Sequence, residues 1–221
     1  MIIWAAQGFG PGVRAWCDGD AVAVASPDLS RRDRLAVAGP VDAVGRLAAK
    51  VLAEVGPSFR PFGDEQLIRG LLDRVPGLQF GAAFGWMDTR TVHPSDGVVW
   101  LDDDSGLEEL LTLASPSSYA WPGRSGVRRW AGVTGERGEL LSIAADAWSA
   151  PEVGFLAGVA THPVARGKGL SRQVCGFVTA ELVQRHGCAG LMVDGGNAAA
   201  IKVYERLGYT YRRVAAASVR S

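Results

Sequence analysis

The chain holds 221 residues with 23 Lys and Arg against 23 Asp and Glu, a formal net charge of zero, and 48% hydrophobic against 21% charged residues. That length and composition allow a sizeable buried core, larger than one small α/β unit of about 150 residues requires. Balanced charge, with no basic block and no aromatic-basic interleaving, argues against nucleic acid as a partner. Cys17, Cys175 and Cys188 are odd in number without CxxC spacing, and His93, His162 and His186 are scattered. Neither a disulfide frame nor a metal site is expected, and the thiols should be reduced and buried. No positively charged leader opens the sequence and no apolar run reaches the ~18 residues of a membrane span, so a cytoplasmic protein is expected.

In chain order, Gly8-Phe-Gly10-Pro-Gly12 is glycine-rich but leads into no helix, which argues against a ligand loop there. Ala21 to Ala25 and Arg34 to Ala38 read as short strands. The second passes through Gly39-Pro40 into a helix with Val41, Val44, Leu47, Ala48, Val51, Leu52 and Val55 on one face. Asp64 caps a second helix that uses Leu67, Ile68, Leu71 and Leu72 and stops at Pro76-Gly77, and Leu78 to Met87 reads as a strand. Ser105-Gly-Leu-Glu108 reads as a capping box for a helix through Leu107, Leu110, Leu111 and Leu113, ended by Pro116. After a Ser/Pro/Gly-rich loop from Ser115 to Gly126, Arg129 to Thr134 and Glu139 to Trp148 read as strands joined by Glu136-Arg-Gly138. Two domains are expected: a divergent α/β half over 1–96 that reads as a scaffold, and a half over 97–221 that carries the motifs described next.

The most informative segment follows. Val153 to Thr161 (VGFLAGVAT) is small and apolar, as a strand covered on both faces would be, and Leu170 to His186 carries Leu170, Val174, Phe177, Val178 and Leu182 at helical spacing. Between them lies Arg166-Gly167-Lys168-Gly169-Leu170-Ser171-Arg172. Amides of a helix's first turn have no intrahelical partner and sit at the positive end of its dipole, so they favour a phosphate. Gly167 and Gly169 permit close approach, while Arg166, Lys168 and Arg172 add charge; the chain has only two other lysines, Lys50 and Lys202. A Walker A loop is excluded, because His162 and Gly169 stand where it needs Gly and Ser or Thr. A dinucleotide fingerprint fails at Arg172, where Gly or Ala is needed.

This turn resembles the acyl-CoA loop Q/R-x-x-G-x-G/A of the GNAT superfamily of N-acyltransferases, which follows a strand ending V-x-P. Arg166 is its first position and Gly169 its middle glycine; Ser171 departs from the usual Gly or Ala, and Thr161 from the usual valine before His162-Pro163. Downstream, Asn197 through Tyr209 resembles the second signature, N-x-x-A-x-x-x-Y-x-x-x-G-F/Y, with Asn197, Ala200, Tyr204 and Gly208 in place. The residues also make local sense: Asn197 is a good N-cap after Gly195-Gly196, Ala200, Ile201, Tyr204 and Leu207 share a face, Gly208 stops the helix, and Tyr209 to Val214 is extended. A narrower likeness, carried by Gly138 to Ile143 and Gly154 to Arg172, is to the glycine N-acyltransferase-like branch, in which a degenerate half precedes the catalytic one.

The resemblance implies a GNAT fold, a mixed twisted α/β sheet flanked by helices, and acetyl-CoA or a short acyl-CoA as co-substrate, with no metal. It implies a backbone amide near Val159 to Thr161 on the thioester carbonyl, and Arg166, Gly167, Lys168, Gly169, Leu170, Ser171 and Arg172 on the diphosphate. It further places Asn197 and Ala200 along the pantetheine arm and Tyr204 beside the sulfur as the acid for the leaving thiolate, with direct attack in a ternary complex. The expected acceptor is a small-molecule amine, an amino acid or a peptide N-terminus, with a homodimer left open.

No carboxylate lies in Phe155-Leu-Ala-Gly-Val159, where relatives often place a glutamate, so Glu152, Glu139, Asp146 or a water chain stay open as the base. That gap keeps a noncatalytic acyl-CoA-binding regulator as the alternative, and beyond it a structural partner-binding protein. Rival readings make Tyr204 a core tyrosine, Arg166 and Lys168 solvated loop charges, and Cys175 and Cys188 core residues. His162 is expected to face solvent or a phosphate, and Trp121, Trp130 and Trp148 to pack in the core or line an acceptor pocket.

Overall fold

The computed structural model describes residues 1–93 and 95–220. It divides into two compact units, one of Met1–Trp86, Val193–Gly196 and Tyr211–Ser221, the other of Met87–Met192 and Asn197–Thr210. Both are mixed α/β. The chain passes from one to the other more than once, so neither unit is a continuous stretch.

In the first unit, α1 (Ile2–Ala6) precedes β1 (Arg14–Asp18), β2 (Ala21–Ser26) and β3 (Arg34–Ala38), and α2 (Val41–Val55) leads to β4 (Arg60–Asp64) and α3 (Glu65–Leu71). β1, β2 and β3 pair antiparallel, β3 and β4 pair parallel across α2, and β4 pairs antiparallel with β11 (Thr210–Val219). α2 buries Val44, Leu47, Ala48, Val51 and Leu52 against Leu35, Val37, Ile68, Leu71, Ala215 and Ala217. This is the helix face that the 3.6-residue spacing defines. Asp64 caps α3 by accepting from the amides of Gln66 (2.9 Å) and Leu67 (3.2 Å). A separate aromatic cluster joins Trp4 to Phe62 (centroids 6.4 Å) and Trp86 (5.4 Å), with the buried Arg34 guanidinium over the Trp4 and Phe62 rings.

The second unit begins with the end of β5 (Leu78–Thr89) and runs through β6 (Val99–Trp100), α4 (Leu107–Ala114), β7 (Val127–Thr134), β8 (Leu140–Ala147), β9 (Gly154–Thr161), α5 (Leu170–His186), β10 (Ala189–Val193) and α6 (Ala198–Arg206). β6, β7, β8 and β9 form an antiparallel series, and β9 pairs parallel with β10 across α5. α5 packs Val174, Val178 and Leu182 inward, with Thr179 Oγ1 and the Tyr209 hydroxyl 2.9 Å apart in the core. No helix of the described residues is long and apolar enough to cross a membrane.

Three details differ from the sequence reading. The helix at Leu107 is capped by Gly106 in the left-handed region (φ 75°), while the Ser105 amide donates to Asp103 Oδ1 (2.8 Å), so no Ser105–Glu108 box forms. With the N-cap at Gly106, Ser105 stands one residue too early and Glu108 is the second helical residue, so the positions a box needs are missed. β4 (RPFGD) was hidden by its Pro and Gly; Pro61 is tolerated because the pairing with β11 begins only at Phe62. Cys17 is exposed rather than buried, because β1 pairs with β2 alone and leaves most of its side chains to solvent.

The buried Thr179–Tyr209 pair gives a direct test of the second unit's core. Replacing Thr179 by Val keeps the shape and removes one partner, stranding the Tyr209 hydroxyl at a cost of about 2 kcal/mol. Urea unfolding followed by circular dichroism should show that loss.

Candidate functional site

The site begins with two irregularities in β9. β8 and β9 pair along most of their length, but Ile143 faces Ala160 while Ala145 faces Ala157. Three steps on β9 therefore span two on β8, and Gly158 and Val159 together oppose Ala144. This is a β-bulge, and Gly158 adopts φ 62°, the left-handed conformation such a bulge asks of its first residue. A bulge takes one residue's backbone out of the ladder. On the other edge, β9 pairs with β10 only at Gly154 and Phe155. From Leu156 to Thr161 the strand is thus bonded on its β8 side and open toward β10. Val159 and Thr161 are half-buried along that open stretch, and the Thr161 hydroxyl bonds Ser142 Oγ (2.8 Å).

At the end of β9 the chain turns through a 3-10 segment, Pro163–Ala165, into α5. His162 caps this segment, its Nδ1 accepting from the Val164 amide at 3.3 Å. Gly167 (φ 77°) and Gly169 (φ 80°) take left-handed conformations with nothing packed where a side chain would stand. Glycine is therefore required by the backbone turn, and the space above it is open. Gly169 is the N-cap of α5 without a side-chain cap, and the first bond into the helix runs from the Gln173 amide to the Gly169 carbonyl (3.1 Å). The amides of Leu170, Ser171 and Arg172 consequently point out of the helix end. Arg166, Lys168 and Arg172 are exposed around them, and Arg166 Nε donates to the Thr161 carbonyl (3.4 Å), folding that guanidinium back toward the strand end.

α6 supplies the remaining candidates. Asn197 Oδ1 accepts from the Ala200 amide (3.0 Å), capping the helix; Ala200 is half-buried one turn in, and Tyr204 lies one turn further. Tyr204 is 7% exposed and its ring lies 5.9 Å from that of Tyr209. Among the described residues none hydrogen-bonds its hydroxyl, so the proton is available to a ligand. Burial, with Cys175 and Tyr209 nearby, holds the phenol well above its ordinary pKa of 10.0, so Tyr204 stays protonated at neutral pH. A protonated buried phenol can donate, and cannot serve as a base.

The three carboxylates left open as the base have different surroundings. Asp146 is fully buried, taking bonds from Arg129 Nε (3.4 Å) and Ser149 Oγ (2.5 Å), while that Ser149 oxygen accepts from the Phe155 amide (2.8 Å). It is fixed in a structural network. Glu139 accepts from the Arg137 amide in the β7–β8 turn (3.1 Å), and Glu152 is exposed before β9. Of the tryptophans, Trp130 and Trp148 are buried and Trp121 is half-buried. A cavity of about 390 Å³ lies between the start of α4 and the following loop, lined by Asp104, Gly106, Glu108, Glu109, Pro122 and Gly123. The bulge at Gly158 was missing from the sequence reading; a lone glycine inside an apolar strand run was its only signal.

Comparisons with known proteins bear on the fold. A family model described as FR47-like protein matches residues 133–218, the stretch holding the bulge, the glycine turn and α6. Among solved structures, a GCN5-related N-acetyltransferase from Kribbella flavida superposes with a TM-score of 0.64 at 18% identity, covering 100% of this chain and 95% of that one. A putative acetyltransferase of the GNAT family from Novosphingobium aromaticivorans gives 0.58 at 19% identity, covering 99% and 97%. A GCN5-related N-acetyltransferase from Sphaerobacter thermophilus gives 0.56 at 16%, covering 91% and 81%. At these identities the likeness establishes the fold. No curated protein sequence matches the chain.

The thiols report on the same region. Burial pushes Cys175 up to about 12, and Cys188 is also buried, whereas Cys17 is exposed. Iodoacetamide at mildly alkaline pH should therefore label the folded protein at Cys17 alone and the denatured protein at all three cysteines, as read by peptide mass spectrometry.

Proposed function

We propose that the chain is a GNAT-superfamily, acyl-CoA-dependent N-acyltransferase acting on an amine; the FR47-like match over residues 133–218 and the likeness of fold support this reading. One observation carries this reading: β9 parts from β10 at the end where the first turn of α5 presents its free amides. A ligand with a diphosphate at one end and an extended amide-bearing arm at the other suits that shape. The diphosphate would lie on the amides of Leu170, Ser171 and Arg172, approach over Gly167 and Gly169, and meet the charges of Arg166, Lys168 and Arg172. The arm would add to the open edge of β9 as an extra strand does, flanked by Asn197 and Ala200. No metal takes part in this scheme.

In the reaction the neutral amine attacks the thioester carbonyl, whose oxygen accepts from an amide in the Val159–Thr161 stretch as negative charge develops there. The carbon–sulfur bond breaks, the leaving thiolate takes the Tyr204 proton, the amine nitrogen loses its proton to water, and the Tyr204 phenolate regains a proton from solvent. Burial and pairing with Arg129 weigh against Asp146 as the proton acceptor. A solvent path therefore suits the carboxylate-free strand better than a dedicated base, and it favours acceptor amines with a substantial neutral fraction.

Amine-dependent release of the thiol from acetyl-CoA, measured across amino acids, peptides and simple amines, tests the assignment. Turnover with at least one class supports it; binding without turnover across the whole panel would leave a noncatalytic acyl-CoA-binding regulator. Tyr204→Phe should lower kcat by about a hundredfold. Since Tyr204 stays protonated beyond pH 10.0, the rate should climb with pH as the amine deprotonates and show no falling alkaline limb below that point.

A further inference from the structure

Trp130 stands apart from the other indoles of its surroundings. The Trp121 Nε1 donates to the Ser118 carbonyl (2.7 Å) and the Trp148 Nε1 to the Ser125 carbonyl (3.1 Å), both within the 115–126 loop. Trp130 is 3% exposed, and its Nε1 has no partner among the described residues. Indoles in closed cores normally have that donor satisfied, so this one calls for a partner from outside the chain, a ligand or a water.

The strand register says which space. Arg129 pairs with Asp146 and stacks on Trp100 (3.6 Å), and its guanidinium is 3.9 Å from Glu181 of α5; that side of β7 therefore faces α5. Trp130, the next residue, faces the opposite side. There it pairs with Ala145, which pairs in turn with Ala157 on β9, so its cross-strand neighbours on that face are small. The indole reaches across them to the bulge: a side chain at Gly158 would collide with the Cη2 and Cζ3 edge of Trp130, with Ala120 Cβ 3.2 Å away. One ring thus closes the space beside the bulge.

The strand order β10-β9-β8-β7 fixes the direction of a bound thioester. On the reading above, sulfur lies toward Tyr204, on the helix that follows β10, and the carbonyl sits at the bulge. The acyl chain, bonded to the far side of that carbonyl, then points toward β8 and β7 and runs into Trp130. We propose that Trp130 is the end wall of the acyl pocket and restricts the chain to short acyl-CoA thioesters. The proposal rests on the acyl-CoA reading of the site.

Titration calorimetry on the full chain with acetyl-CoA, butyryl-CoA and octanoyl-CoA tests it without any knowledge of the acceptor. Wild type should bind acetyl-CoA at least about tenfold more tightly than octanoyl-CoA, and Trp130→Ala should cut that ratio by about tenfold or more. Trp130→Leu, which leaves a smaller cavity, should shift it in the same direction. Wild type that binds octanoyl-CoA as tightly as acetyl-CoA overturns the proposal, as does an unchanged ratio in a folded variant. Absence of binding by any of the three thioesters to wild type would instead remove the acyl-CoA reading on which the proposal rests.

Discussion

Everything the site can do depends on the backbone of β9 being left unpaired in the right places. A strand in the middle of a sheet normally has every amide and carbonyl committed to its neighbours. Here the bulge at Gly158 and Val159 frees one edge locally, and the early end of pairing with β10 after Phe155 frees the other over several residues. Unpaired backbone groups at half-buried positions are costly unless something bonds them. A bound extended arm would satisfy them, which is the physical link between the irregular strand and ligand recognition.

The helix end completes the arrangement with the same kind of group. Gly167 and Gly169, both at positive φ, turn the chain so that α5 starts with open amides and no side-chain cap. A serine or aspartate at the N-cap would satisfy the helix by itself; glycine leaves that task to an anion. Tyr204 supplies the opposite property, a proton held firmly by burial in an apolar setting beside Tyr209 and Cys175. On the proposed reading, donors would line the site from the diphosphate to the sulfur. On the same reading, the carboxylate-free Phe155–Val159 stretch would leave the chemistry dependent on the acceptor's own basicity and on water.

What was legible in the sequence was what is local. The α5 start at Leu170, the Asn197 cap and the stop at Gly208 depend on residues a few positions apart, and each lies where residue type and spacing placed it. The α2 face was equally plain, because five buried residues repeat at helical spacing. What escaped was set by partners distant in sequence. β4 is a strand because β3 and β11 flank it, despite Pro61 and Gly63. The bulge exists only as a mismatch between β8 and β9, and Trp130 matters through Gly158, 28 positions later, which no local pattern in RRWAGVT announces. The Ser105–Glu108 pattern shows the converse, a local signature that fails because the helix takes its N-cap one residue later, at Gly106.

The central claim is that the freed amides of the α5 turn and of the β9 bulge hold coenzyme A. Amide proton–nitrogen spectra of the full chain titrated with coenzyme A test it most directly. The account predicts saturable shifts largest at Gly167 to Arg172 and at Gly158 and Val159. Spectra unchanged up to millimolar ligand, or shifts confined to residues away from both segments, would contradict it.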